Sequence, residues 1–274
     1  MPDSSEPLIR RALRSACLVL VVLMWATRAG AQQPGPQPLD APSHSVGFLT
    51  RSDFQLSGVA LAIDDNRFSW DTHFGGAADV IDYKIGRLGI VADYEAVVGD
   101  EFRSFDPNQS IYTLETSASA WVGATEIAAA FHHVSRHLSD RPKTVPVAWN
   151  VLGARVLRRF AAGDTTFAIR AGAGSVVAHA TVDYRWTTDF DVVVRHRLND
   201  RVGLYARSWG ELLGVAASSQ RDTQKSVHIE GGVRVDGRGA ALELFAGYER
   251  RADADPFEQQ PLKWGLAGFR LVNK

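Results

Sequence analysis

The chain has a single cysteine in 274 residues, Cys17, which lies in an apolar N-terminal run. A chain that loses this run on export keeps no cysteine, which excludes disulfide bonds and thiol catalysis. An excess of basic residues is also absent, since 30 lysines and arginines stand against 31 acidic residues. Without a basic surface to attract phosphates, we expect no nucleic-acid partner.

The first 31 residues have the three-part pattern of a secretion signal. Three arginines precede residue 15, an apolar run follows at 16–26 (ACLVLVVLMWA), and small residues occupy 29–31 (AGA). A signal peptidase accepts small residues at such a site, so we predict a signal peptide over 1–31 that is cleaved before Gln32.

The chain after residue 31 has no long apolar run. No stretch there approaches the roughly 18 apolar residues that a membrane-spanning helix requires. Residues 32–44 are rich in proline and are predicted to form a flexible lead-in. The remaining residues, 45–274, have the length of one domain.

Within this domain, apolar and polar residues alternate along many segments. Leu88, Ile90 and Ala92, for example, interleave with Arg87 and Asp93. A period of two is the period of a β-strand with one apolar and one polar face. The segments run for about 10–15 residues, enough for a tilted strand to cross a bilayer. Their charged polar faces are typical of the interior of a membrane barrel.

The alternation predicts an all-β fold, an antiparallel transmembrane β-barrel of about twelve strands. The predicted strands lie near 54–63, 66–75, 86–98, 110–118, 120–134, 145–159, 165–179, 182–197, 201–216, 225–235, 240–250 and 262–272. Residues 45–50 and 79–85 are further candidates for strand structure. Such a barrel belongs in the bacterial outer membrane, with the barrel-assembly machinery as a partner.

The connections between these strands differ in length. Tight turns are predicted at 161–164, 198–200 and 236–239, and longer polar loops at 138–144, 218–224 and 251–261. Short turns on one rim and long loops on the other are the outer-membrane arrangement. A soluble periplasmic β-domain is the alternative, because soluble β-sandwiches also alternate.

The charged face predicts what fills the barrel. Nine residues of both signs are predicted to point inward: Arg67, Arg87, Asp93, Glu95, Glu126, Arg155, Glu230, Arg234 and Glu243. A barrel of about twelve strands filled in this way is plugged or narrow, because wide channels need about 16–18 strands. The first function hypothesis is therefore a barrel with a structural or narrow-lumen transport role.

A cluster of histidines ends the strand near 120–134, in the sequence FHHVSRHLSDRP at 131–142. Ile127, Ala129 and Phe131 are two residues apart and therefore share one face of the strand, whereas Glu126 lies on the other face. Phe131 is therefore predicted to face lipid, and we call positions on its face positions of the same parity. His133, Ser135 and His137 continue that parity. Polar groups on a lipid-facing track are costly unless they lie at the level of the lipid headgroups.

This arrangement has the components of a serine hydrolase. A serine becomes nucleophilic when a histidine takes its proton, and a third polar group orients that histidine. His133 and Ser135 share a face, and Asn150 in the next strand is predicted to face outward beside them.

His-x-Ser followed by Trp-Asn in the next strand resembles outer-membrane phospholipase A. The resemblance implies His133 as base, Ser135 as nucleophile, Asn150 as orienter and calcium as support for the oxyanion. The chain differs from that family at Arg136-His137, where the family has Asn-Gly.

A second resemblance covers the same residues. The string HVSRHLSD at 133–140 is similar to a His-x-Ser-Ser-His-Leu-Gly-Asp signature in a family of outer-membrane barrels of unknown function. Lipid A deacylase barrels also carry His-x-Ser. The second function hypothesis is therefore a surface lipid hydrolase whose partners are membrane lipid and lipopolysaccharide.

The cluster also has non-catalytic interpretations. Arg136, His137 and Asp140 are candidate contacts to lipid phosphates or another ligand without any catalysis. A metal site is the other alternative, with ligands drawn from His132, His133, His137 and Asp140. Neighbouring residues on a strand point to opposite faces, so we predict no metal site.

Overall fold

The computed structural model describes residues 36–43, 45–138 and 145–273. Within these residues the chain forms twelve strands: β1 Val46–Ala62, β2 Trp70–Tyr83, β3 Arg87–Gly99, β4 Asp106–Val122, β5 Thr125–Leu138, β6 Val147–Ala162, β7 Thr165–Ala180, β8 Tyr184–Arg197, β9 Val202–Val215, β10 Gln224–Asp236, β11 Ala240–Asp255 and β12 Gln260–Asn273. The predicted signal peptide and Asp140 lie outside the described residues.

The sheet closes on itself. Every strand lies beside its neighbours in sequence, and β1 pairs antiparallel with β12, with Gln55 opposite Val272 and Ala62 opposite Gly265. The prediction of a twelve-stranded antiparallel barrel is confirmed. The described residues include no helix with the length and apolar character needed to cross a membrane.

The two ends of the barrel have different connections. Turns at 84–86, 123–124, 163–164, 198–201 and 237–239 lie at the end where β1 begins, and loops at 63–69, 100–105 and 216–223 lie at the other. In outer-membrane barrels the short turns face the periplasm. We therefore call these the periplasmic and the outer end.

The first two strands differ from their predicted bounds. β1 begins at Val46, and β2 runs to Tyr83, so both further candidate segments belong to strands. The prediction that Arg67 lies on a strand and faces the interior is wrong, because 63–69 is a loop. Asp65 accepts a hydrogen bond from the backbone N–H of Arg67 at 3.0 Å. This turn, typical of aspartate, ends the strand pairing.

The outer surface of the barrel wall is apolar. Large side chains such as Leu114 and Leu152 are 52% and 56% exposed, and Ile90 and Phe131 lie on the same outward face. A wide apolar surface on a folded protein marks contact with a partner or a membrane. Together with barrel closure, which leaves no unpaired strand edge, it is the surface of a membrane-spanning barrel.

The interior is filled by charged side chains that pair across strands. Eight of the nine residues predicted to point inward do so, all except Arg67. Arg87 contacts both Asp79 and Glu126 at 2.8 Å. Arg270 lies between Glu230 and Glu243, at 2.7 and 2.9 Å. Because these buried charges have opposite partners, the network is tolerated in an interior shielded from bulk water.

The end of β11 and the following turn, residues 252–259, curl into the outer mouth and are called the cap. Gln109 of β4 donates a hydrogen bond to the carbonyl of Ala254 at 2.7 Å. Tyr184 of β8 donates to the carboxylate of Asp253 at 2.5 Å. The prediction of a loop over 251–261 is therefore wrong, because β11 continues to Asp255 and β12 begins at Gln260. The hydrogen bonds from Gln109 and Tyr184 hold the end of β11 inward across the mouth.

The lead-in makes specific contacts at the periplasmic mouth. Pro36 and Pro38 are buried, and the carbonyl of Gln37 accepts a hydrogen bond from Arg87 at 2.8 Å. Asp40 lies 3.3 Å from the guanidinium of Arg159. The interior is therefore covered by chain segments at both ends.

Candidate active site

Strand β5 presents its histidine cluster on both faces. Phe131 is 42% exposed on the outward face, and His133, Ser135 and His137 follow it on that face, half-buried. His132 has the opposite parity and lies 3.1 Å from Glu115 in the interior. The predicted outward direction of His133, Ser135 and His137 is confirmed.

Asn150 meets His133 across the strand pair. The two residues are directly opposite in the β5–β6 register, and Nδ1 of His133 is 2.6 Å from Oδ1 of Asn150. An amide oxygen only accepts, so Nδ1 carries the proton in this contact, and in the neutral ring Nε2 is then the nitrogen with the lone pair. The β6–β7 register shifts between Asn150 and Val151. Bulges of this kind are common beside functional sites, where they redirect a side chain.

Ser135 has a different partner from the one predicted. Its Oγ lies 2.9 Å from Nε2 of His137, two residues further along the strand. His133 lies two residues before Ser135 on the same face, so a histidine flanks the serine on each side. The imidazole of His137 also packs edge-on against the ring of Tyr112, with centroids 5.3 Å apart.

Strand β4 forms one wall of the site. Tyr112 is directly opposite Ser135, and Leu114 is directly opposite His133. Tyr94 of β3 extends this wall, with its ring centroid 5.2 Å from that of Tyr112 and its hydroxyl 3.0 Å from Ser110. Tyrosines at the end of a membrane barrel are typical of the level of the lipid headgroups. Tyr112 could not be assigned to the site from the sequence, because its position depends on the β4–β5 register.

Arg136 does not belong to the outward cluster. Its Nη1 donates a hydrogen bond to the carbonyl of Asp253 in the cap at 2.5 Å, and its guanidinium lies 5.6 Å from the centroid of Trp149. Strand alternation directs Arg136 inward, away from the lipid, and its contact with another ligand stays a prediction. Asp140, the other predicted contact, lies outside the described residues.

The described part of the outward cluster does not fit calcium. It offers imidazole, hydroxyl and amide groups, whereas calcium takes six to eight oxygen ligands with carboxylates prominent among them. In the interior, Asp71, His73 and Glu95 have potential ligand atoms within 4.8 Å of one another. Arg251 already contacts both carboxylates, at 2.5 and 2.6 Å, and supplies the positive charge there.

A closed antiparallel barrel with an apolar exterior and a charged interior defines the class of protein. The chain is an outer-membrane β-barrel, which confirms the predicted fold and location. Its polar outward cluster lies on β5 and β6, near the outer end of the wall, with exposed apolar side chains such as Leu114 and Leu152 beside it.

Among solved structures, the fold is similar to outer membrane phospholipase A from Escherichia coli. The TM-score is 0.51 at 10% identity, covering 83% of this chain and 98% of that chain. It is also similar to OmpT of Vibrio cholerae, with a TM-score of 0.43, 9% identity and coverage of 86% and 99%. For Omp33 of Acinetobacter baumannii the TM-score is 0.39 at 10% identity, covering 81% of this chain and 97% of that chain.

At these identities the likeness concerns the fold alone. No family model matches the sequence, and no curated protein matches it either. A function must therefore be argued from the residues of the site.

Proposed function

We propose that this barrel hydrolyses acyl esters of membrane lipids at its outer surface, with Ser135 as the nucleophile. One observation carries the proposal: the serine hydroxyl is 2.9 Å from one histidine and is preceded by a second histidine whose ring is held by Asn150. Four polar groups on a membrane-facing surface are costly to maintain there. A catalytic role accounts for their presence together.

His133 is assigned as the general base. The contact with Asn150 holds its ring and leaves Nε2 free to accept a proton. Ser135 turns its hydroxyl from His137 to His133 by a change of side-chain rotamer. The role of His137 is to hold the hydroxyl in the resting arrangement.

The reaction then follows the serine hydrolase sequence. Oγ of Ser135 attacks the ester carbonyl carbon while its proton passes to Nε2 of His133. The proton is returned to the departing alcohol as the carbon–oxygen bond breaks, leaving an acyl-serine. Water hydrolyses this ester with His133 again as base, and the fatty acid is released.

The surroundings of the site suit a lipid substrate. Leu114, Phe131 and Leu152 are exposed on the outward face beside and below His133, where an acyl chain in the membrane would contact them. The substrate is an acyl ester of phospholipid or of lipopolysaccharide. The resemblance to outer-membrane phospholipase A adds calcium as an expectation, but no step of the mechanism passes through it.

Fatty-acid release by the refolded protein tests the proposal. Phospholipid and lipopolysaccharide are supplied separately, each with calcium and with a chelator. We expect Ser135→Ala and His133→Ala to lower the rate at least about a thousandfold. Ser175→Ala and His179→Ala, which change exposed residues on β7, are matched controls and should retain activity. Activity that survives Ser135→Ala would refute the assignment of Ser135 as the nucleophile.

A sealed barrel without enzymatic activity is the second candidate function. Two interior cavities, one beside His132 and Arg155 and one beside Trp209 and Arg251, have volumes of only about 20 and 40 Å³. Each holds roughly one water molecule. These two cavities lie away from a larger cavity of about 460 Å³ at the periplasmic end, so the filling applies to the rest of the interior. It favours a structural role over solute transport, and absence of lipid hydrolysis by the folded, inserted protein would support it.

A further inference from the structure

The periplasmic half of the interior contains a cavity of about 460 Å³. Its wall carries two aspartates, Asp53 and Asp236, and six arginines: Arg51, Arg159, Arg195, Arg197, Arg207 and Arg234. We call this cavity the arginine vestibule. It lies inside the barrel, whereas the Ser135 site faces outward, so the two are separate.

The acids near the vestibule are shared among several arginines. The carboxylate of Glu243 is contacted by Arg195 at 3.5 Å, Arg234 at 3.0 Å and Arg270 at 2.9 Å. Arg234 also contacts Asp236 at 3.0 Å, and Arg270 also contacts Glu230 at 2.7 Å. Glu243 itself does not line the cavity, whereas Arg195 and Arg234 do, so guanidinium groups form this part of the wall.

Two donor atoms on the vestibule wall lack an acceptor. Nη1 of Arg51 and Nε of Arg195 are buried and have no hydrogen-bond partner among the described residues. A buried N–H group without an acceptor is unfavourable, and buried polar groups are normally satisfied by protein, water or a bound ligand. Both atoms are enclosed by protein, so an oxyanion in the cavity would accept from them only after the two side chains turned towards it.

One arginine of the vestibule wall already pairs with an exposed carboxylate of the lead-in. Gln37 and Pro38 of the lead-in line the cavity, and Asp40 pairs with Arg159. Guanidinium groups match the oxygens of both carboxylate and phosphate with paired hydrogen bonds. Gln37 and Pro38 cover part of the periplasmic mouth, so another anion would arrive beside these residues or by displacing them.

We propose that the arginine vestibule binds a small multiply charged oxyanion from the periplasm, a compound with at least two phosphate or carboxylate groups. The volume is within the range of small-ligand sites. Several guanidinium groups around one cavity favour a ligand with several negative charges. The site does not depend on lipid hydrolysis and would remain if Ser135 proved to have no catalytic role.

Calorimetric titration of the full barrel, refolded in a neutral detergent, tests this proposal. Tripolyphosphate and citrate are the probes, in about 150 mM salt to screen diffuse attraction. We expect saturable binding of one anion per barrel. Binding of tripolyphosphate alone assigns phosphate, and binding of citrate alone assigns carboxylate. Ser135→Ala should bind as tightly as the unaltered chain.

Two neighbouring residues of β6 provide the variant and its control. Arg159 lines the vestibule, whereas Arg158 faces outward and donates a hydrogen bond to Thr125 at 2.9 Å. Arg159→Gln should weaken binding about tenfold, as expected for one charge-assisted contact, and Arg158→Gln should not. Arg195→Gln, at another position of the cavity wall, should also weaken binding, and heat-modifiable migration on a gel checks that each variant is folded.

Two results would overturn the proposal. One is the absence of saturable binding of either anion by the folded, unaltered barrel. The other is equal weakening by Arg158→Gln and Arg159→Gln, which would indicate attraction to overall charge rather than a site in the vestibule.

Discussion

Nδ1 of His133 and Oδ1 of Asn150 lie 2.6 Å apart across directly opposed positions of β5 and β6. The contact joins two strands at the outer end of the barrel and sets the direction in which the imidazole points. If His133 is a base, Asn150 acts by positioning it rather than by touching the substrate.

Asn150→Ala should therefore lower kcat for lipid hydrolysis about 10- to 100-fold, with KM little changed. The ring of His133 would lose its orienting acceptor while the lipid contacts remain. Asn150→Asp keeps an acceptor oxygen and should recover much of the rate. Steady-state kinetics on mixed micelles of phospholipid measure both values, and an unchanged kcat in Asn150→Ala would contradict the assignment.

The cap depends on Tyr184, whose hydroxyl donates to Asp253 at 2.5 Å in the buried outer mouth. Tyr184→Phe removes this donor and should lower the free energy of unfolding by about 1–2 kcal/mol. It should also speed amide exchange over residues 252–259. Tyr248→Phe, on the exposed outer face of β11, is the matched control. Equal exchange in the two variants would show that the cap is held by other contacts.

Glu243 is the acid on which Arg195, Arg234 and Arg270 converge. Glu243→Gln removes this buried charge, but Arg234 keeps its contact with Asp236 and Arg270 keeps its contact with Glu230. We therefore expect a loss of about 3 kcal/mol in the free energy of unfolding, the lower end of the range for breaking a buried ion pair. Urea unfolding in lipid vesicles measures the change. Asp164→Asn provides the comparison, because the pair of Asp164 with Arg197 is exposed at a periplasmic turn. No measurable change is expected there.

The loop at 63–69 is held to the cap by Arg67, which contacts Asp65 at 2.7 Å and Glu258 at 2.6 Å. The hydrogen bond from Arg67 holds the pKa of Asp65 below its usual value. A lowered pKa in the folded state means that the stabilisation is present above the unfolded pKa of about 3.9. It is lost as the pH falls through the folded pKa.

Asp65→Asn should therefore lower the free energy of unfolding by about 0.5–1 kcal/mol at pH 7. The difference from the unaltered chain should be smaller at pH 2 than at pH 7, because Asp65 gains a proton as the pH falls through its lowered folded pKa. Urea midpoints at the two pH values provide the measurement, with Asp64→Asn at the exposed neighbouring position as control. A difference that is undiminished at pH 2 would mean that the charge of Asp65 is not its cause.

Much of the barrel could be predicted from alternation alone. Side chains along a strand point to alternate faces, so a local stretch of sequence determines which residues share a face. For this reason the outward direction of His133, Ser135 and Asn150, and the inward direction of Arg155 and seven other charged residues, were predicted correctly. The number of strands followed from the same local pattern.

Alternation does not determine which outward neighbour a side chain contacts. His133 and His137 are both two residues from Ser135, and only the folded structure shows the hydroxyl on His137. Alternation also does not show where a strand gives way to a turn. Arg67 was assigned to a strand on its parity, but hydrogen bonds with Asp65 place it in a loop.

The sequence by itself determined the strands, their two faces and the outward cluster of histidine, serine and asparagine. The tertiary structure decided the β4–β5 register that brings Tyr112 to Ser135, the closure of the outer mouth and the arginine vestibule. Arg136 and Asp253, for example, are 117 residues apart in sequence and meet only because β11 curls inward across the barrel. Alternation is a property of neighbouring residues, whereas register, closure and the filling of the interior depend on strands that are distant in the sequence.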